Sequence, residues 1–211
     1  INRSSSKTQS AMLEAMQERQ VSIGGKQYKL PDVFIVIATQ NPIEQEGTYL
    51  LSEAQQDRFI IKETLHYPTA NEELEILNRI EQNVFEDRNK VVGIKEIKYL
   101  QELSKRVYID EAVKKYIISI VYATRNPSTV MSPELAKYVT NGASTRASIS
   151  FMEAGKALAL INGRTYVTPD DIKALSYSIL RHRISLNFEA IADEVQVETI
   201  IDAIIKSIKA P

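Results

Sequence analysis

With 211 residues, 44% hydrophobic and 25% charged, the chain has the length and composition of one or two globular domains, which argues against wholesale disorder. Lys plus Arg total 26 and Asp plus Glu total 27, a near-cancellation that disfavours a chain held mainly by nucleic-acid phosphates or an anionic membrane surface. The absence of cysteine excludes disulfide scaffolds and thiolate sites and is compatible with a reducing compartment, and two histidines, His66 and His182, make a histidine-rich metal centre a poor fit.

The opening INRSSSKTQSAMLEAMQERQ has neither the apolar stretch of a secretory signal nor an initiator Met, and it begins as if cut from something longer. Met12, Leu13 and Met16 sit at helical spacing between Ser10 and Arg19. In VSIGGKQYKL, Gly24-Gly25 separates two β-prone runs and predicts a hairpin. Val33 to Thr39 (VFIVIAT) is almost uniformly apolar and β-branched, the pattern of a strand buried on both faces in a parallel sheet. It ends at the turn pair Asn41-Pro42, and Phe59 to Leu65 is a second strand candidate. No apolar run approaches the roughly 20 residues that span a bilayer.

From Asn71 onward the period is helical. Leu74, Leu77 and Ile80 recur every three residues, as do Ile94, Ile97, Leu100 and Leu103. Asp110 can cap a helix carrying Val113, Ile117, Ile120 and Val121, and Ser132-Pro133 starts a short one. An Ala-rich helix is expected from about Arg146 to Ile161, stopping near Asn162-Gly163. Thr168-Pro169-Asp170-Asp171 opens another helix with Ile172, Leu175 and Ile179, and a last helix holds Val197, Ile200, Ile201, Ile204 and Ile208. The domain expectation is 1–68 for an α/β part and 69–211 for a helical part. Two strands and a helix alone would leave a hydrophobic strand uncovered, which supports a longer parent chain.

Four places could carry chemistry. Thr39, Gln40 and Asn41 follow the carboxyl end of a buried strand, where α/β sheets bind ligands, although Asn41-Pro42 also reads as a plain turn. Arg58, just before a strand, is a permanent cation able to fork onto phosphate oxygens, or else a surface arginine paired with Glu53 or Asp57. Ser144 looks like a helix cap, which puts Arg146 in a first turn where the dipole disfavours it; an anionic partner and a roleless exposed arginine both fit. Asn2 and Arg3 precede a loop that ordinary capping explains.

Together, INR, KTQSAMLEAMQE, ATQNPIEQEGTY, EAQQDRF, GASTRAS, YVTPDDIKAL and RHRI, in that order over roughly residues 1 to 190, closely resemble the MoxR family of AAA+ ATPases. The resemblance implies an α/β fold: the C-terminal half of a AAA+ nucleotide-binding core, with parallel-sheet strands and a hairpin, over 1–68, then an all-α lid over 69–211. It implies that Asn41 is the sensor-1 residue that places the attacking water or reads the γ-phosphate. It makes Arg58 the arginine finger reaching a neighbouring subunit's nucleotide, and Arg146 the sensor-2 residue on the lid, touching phosphate. The hairpin would face a partner.

The family's phosphate loop, G-x-x-x-x-G-K-[ST], does not occur in these residues, and the acidic pair that holds Mg²⁺ in the family precedes INR, so these 211 residues alone are not expected to hydrolyse ATP. Gln56 replaces a usual leucine, Leu50-Leu51-Ser52 a proline-containing stretch, and Thr145 a frequent proline. For the intact protein the resemblance implies ATP and Mg²⁺, a ring, most often a hexamer, and a cytoplasmic chaperone. Such a chaperone remodels or matures client proteins together with von Willebrand factor A domain proteins, with no nucleic acid and no membrane insertion. The competing readings are an inactive remnant acting as a protein-interaction module and, less favoured by the charge balance, a nucleic-acid motor.

Overall fold

The structure, a computed structural model, describes residues 1–41, 49, 51–82, 84 and 89–211. Helix α1 (Ser6–Glu18) starts where the Ser5 hydroxyl accepts from the Thr8 amide, and ends at Arg19, whose φ of 51° is left-handed. Strands β1 (Gln20–Ile23) and β2 (Lys26–Lys29) form the expected hairpin, with Gln20 opposite Lys29 and Ile23 opposite Lys26. Its two-residue turn needs positive φ at both positions, and Gly24 (57°) and Gly25 (76°) provide it.

Neither predicted parallel strand carries a ladder. In 33–39 the accessibility alternates as in a strand, but Ile35 and Ile37 are 79% and 78% exposed and no described strand lies beside them. A strand is a paired object, so an apolar run with no neighbour remains without one. Residues 59–65 follow the short helix α2 (Glu53–Gln56) and bond instead to the helical part. The Asn41-Pro42 turn lies partly outside the described residues.

Helices α3 (Ala70–Glu81) and α4 (Ile94–Arg106) appear where the period placed them, although Leu74, Leu77, Ile80 and Ile94 are more than half exposed. The core lies further on. It is built by α5 (Glu111–Arg125), α7 (Thr145–Ile161), α8 (Pro169–Ala174), α9 (Ser176–Leu180) and α11 (Val197–Ser207), with α6 (Pro133–Ala136) and α10 (Phe188–Ala192) at its margin. Phe151, Ile120, Ile172, Ile179, Leu180, Ile200, Ile201 and Ile204 are fully buried, each contributing about 1.5–3 kcal/mol of transfer free energy. Asp110 caps α5, and a capping box formed by Thr168 and Asp171 opens α8, both as the residues predict. The predicted single helix from 169 to 179 is two, separated at Leu175, where the Ser176 hydroxyl donates to the Lys173 carbonyl at 2.6 Å. Strands β3 (Val139–Asn141) and β4 (Ser185–Leu186) pair antiparallel, a ribbon too short for the pattern to reveal.

Candidate functional site

Asp57 closes α2 and carries the junction between the front of the chain and the helical bundle. Its Oδ1 accepts from Arg183 Nε at 2.8 Å, and its Oδ2 accepts from the Ser144 hydroxyl at 2.7 Å and from Arg146 Nη1 at 3.4 Å. Ser144 is also the cap of α7, accepting from the Arg146 amide at 3.1 Å, so Asp57 faces the positive end of that helix. This resolves the awkward placement of Arg146: the carboxylate offsets a cation in the first turn. Burial alone would raise the Asp57 carboxyl, but the bonds from Ser144, Arg183 and Arg146 outweigh it and hold it below the ordinary carboxylate range. The Arg146 contact is long and its side chain is 48% exposed, whereas the Arg183 side chain is 1% exposed.

Arg183 spends its guanidinium on the chain around residue 58. Nη2 donates to the Phe59 carbonyl at 2.6 Å, the Asp57 carbonyl at 3.0 Å and the Ser150 hydroxyl at 3.2 Å; Nη1 donates to the Ile179 carbonyl at 2.6 Å and the Ile60 carbonyl at 3.0 Å. Its neighbours extend the strap. His182 Nε2 lies 3.0 Å from the Phe59 carbonyl, Arg181 Nη1 donates to the Lys62 carbonyl at 3.1 Å, and the Lys62 amide donates to the Ser178 carbonyl at 2.8 Å. Glu53 closes the other side, accepting from Asn141 Nδ2 at 3.2 Å and from the Ser185 hydroxyl at 2.5 Å. A cavity of about 150 Å³ lies among Glu53, Asp57, Asn141, Ser144, His182 and Arg183. A larger hollow of about 590 Å³ along α3 contains none of the predicted site residues.

Arg58 itself is half-buried, and its guanidinium makes no hydrogen bond or ion pair among the described residues. The surface pairing with Glu53 or Asp57 is therefore not formed, because both carboxylates are taken by residues far along the chain.

Asn41 belongs to a second network. The buried Asn2 side chain grips its main chain like a β partner: Asn2 Nδ2 donates to the Asn41 carbonyl at 2.9 Å, and Asn2 Oδ1 accepts from the Asn41 amide at 3.3 Å. Buried Gln9 donates to the Tyr49 carbonyl at 2.9 Å, and the Tyr49 amide donates to the Asn2 carbonyl at 2.7 Å. Asn2, read from sequence as ordinary loop capping, thus fixes the segment that presents Asn41. The structure brings Arg58 and Arg146 to one carboxylate-centred junction and holds Asn41 by this separate set of bonds. Sequence reasoning missed Arg183 and named Asp57 only as a surface partner of Arg58; the only signal for Arg183 was RHRI, two arginines bracketing a histidine directly after the apolar end of α9.

Among the described residues no group of three or more His, Cys, Asp or Glu could hold a metal ion, and no helix is long and apolar enough to cross a membrane.

Comparison with known proteins fits this arrangement. Residues 1–61 match the family model of the ATPase family associated with various cellular activities (AAA), and residues 135–204 match that of the AAA lid domain. The chain is 40% identical over 211 residues to the chaperone MoxR1 of Mycobacterium tuberculosis, and 42% identical over 212 to the uncharacterized protein YeaC of Bacillus subtilis. All of it superposes on the crystal structure of a candidate ATPase from Cytophaga hutchinsonii, with a TM-score of 0.92 and 44% identity. It spans 56%, 63% and 64% of those three chains. These matches define the class: part of a AAA+ α/β core followed by its helical lid. Within that class the chain resembles the MoxR chaperones.

Proposed function

We propose that this chain carries the nucleotide-sensing and lid portion of a MoxR-type chaperone that hydrolyses ATP with Mg²⁺ as a ring, a hexamer by family resemblance, in the cytoplasm. In this reading residues 1–68 complete the core and 69–211 form the lid. Clients and von Willebrand factor A domain proteins are its partners, with no role for nucleic acid or membrane insertion. Bound Mg²⁺·ATP supplies the phosphoryl group and compensates its charge; the groups that hold the metal and cradle the phosphates are not among these residues, so the 211 residues alone are inactive.

The single observation that carries the reading is Arg58: a cation with no side-chain partner among the described residues, on a turn whose flanking carbonyls and adjacent carboxylate are all fixed by the lid. Phosphoryl transfer builds charge on the γ-phosphate oxygens, and a fixed arginine given in trans contributes on the order of 10³–10⁵ in rate, about 4–7 kcal/mol. Such a donation needs a head-to-tail contact, and head-to-tail contacts that close make rings. Arg146 binds phosphate by exchanging its long Asp57 contact for the stronger anion, and Asn41, its main chain held by Asn2, orients the attacking water.

The test is Arg58→Ala in the full-length protein. ATP turnover should fall at least a hundredfold with nucleotide affinity within a factor of two, because the finger serves another subunit's site. Turnover at the wild-type rate would remove Arg58 from the mechanism and with it the ring argument. Arg146→Ala should weaken nucleotide binding, and Asn41→Ala should spare binding but slow single-turnover hydrolysis.

A further inference from the structure

We propose that Arg183 is a positioning residue for the arginine finger: it fixes the main chain on both sides of Arg58 and so sets where that side chain points. The inference rests on reading Arg58 as the finger. A guanidinium offers five N–H donors in one rigid plane. Arg183 directs them at the carbonyls of Asp57, Phe59 and Ile60, the Asp57 carboxylate, the Ile179 carbonyl and the Ser150 hydroxyl. Three of those acceptors are peptide oxygens that bracket residue 58. The Ile179 carbonyl ties the guanidinium to α9, and Ser150 ties it to α7, the helix whose first turn carries Arg146. One buried side chain thus locks the Arg58 turn to the helices of the lid.

Stability is a weak reason to keep this group. A guanidinium 1% exposed forfeits hydration, and replacing a buried ion pair by apolar groups is often neutral or stabilising. Geometry is the better reason, since a displacement of about 1 Å in a positioned catalytic group can cost on the order of a hundredfold. Lysine keeps the charge opposite Asp57, but its single ammonium cannot reach carbonyls spread over four residues.

The experiment uses the full-length protein and two backgrounds, wild type and Arg58→Ala. Arg183→Lys should lower ATP turnover at least tenfold in the first, with the affinity for a fluorescent ATP analogue within a factor of two. In the Arg58→Ala background it should cost nothing further, because the group it positions is gone. Equal fold-losses in both backgrounds would make Arg183 general scaffolding and overturn the proposal, as would wild-type turnover in Arg183→Lys. Should Arg183→Lys fail to fold by circular dichroism, Arg183→Met takes its place. It removes the buried charge while Asp57 keeps its bonds from Ser144 and Arg146, and the same two outcomes decide. If Arg58→Ala alone hydrolyses normally, the finger reading fails first, separately from the role of Arg183.

Discussion

Lowering the pH should destabilise the lid through one side chain, His182. It is 9% exposed, with Nε2 3.0 Å from the Phe59 carbonyl. A carbonyl only accepts, so Nε2 carries the proton, and Nδ1 is buried with no partner among the described residues. Burial, then the Arg183 charge and Lys62, pull its pKa from 6.5 to about 4, against the opposing Phe59 carbonyl and Asp57. The unfolded chain takes up a proton near 6.5, whereas the folded one refuses it until about 4. The contribution of His182 is therefore complete above pH 6.5 and is lost as the pH falls from 6.5 to 4. At about 1.4 kcal/mol per pH unit the loss is roughly 3 kcal/mol. Urea unfolding of the wild type and of His182→Gln, which keeps a donor for Phe59, should be compared at pH 7, 5.5 and 4. The wild type should lose about 3 kcal/mol more than the variant across that range, since carboxylate titration is common to both. Equal losses, or an imidazole resonance of His182 titrating near 6.5, would refute the reasoning.

Three further substitutions probe how the site is held. A Cβ at Gly142 would lie 2.4 Å from the Thr124 carbonyl carbon and oxygen and 2.6 Å from the Arg125 amide nitrogen, so Gly142→Ala should cost about 3 kcal/mol in thermal unfolding and, two residues before Ser144, weaken nucleotide binding as well. Asp171 is 5% exposed and accepts from both terminal nitrogens of Arg164 and from the Thr168 amide; because Arg164 is partly exposed, Asp171→Ala should cost about 2 kcal/mol, and an unchanged unfolding midpoint would contradict this. Asn2→Ala should slow single-turnover hydrolysis as Asn41→Ala does while sparing affinity, and a normal rate would show that the grip on the Asn41 main chain is dispensable.

The longer helices between residues 107 and 208 were legible because their signals are local. A cap such as Asp110, a first-turn proline such as Pro169 and an apolar stripe such as Ile200, Ile201 and Ile204 each act within a turn or two of helix. The run 33–39 shows the opposite case. Apolar, β-branched composition is a local property, but a ladder and burial on both faces depend on neighbours that the run does not contain, and 33–39 forms no strand. The α8–α9 break coincides with one hydroxyl, Ser176, bonding to a carbonyl, a competition that periodicity does not register.

The same contrast decides the site. Arg58 and Arg146 were each ambiguous because an arginine's meaning depends on which carboxylates remain for it, and those assignments are made at long range. Asp57 meets Arg146 across 89 positions and Arg183 across 126, while Glu53 is claimed by Ser185 across 132. Asp57 and Glu53, the acids just before Arg58, are satisfied by groups more than 80 positions away. Among the described residues the Arg58 guanidinium has no carboxylate partner, because residues of the helical part hold both acids.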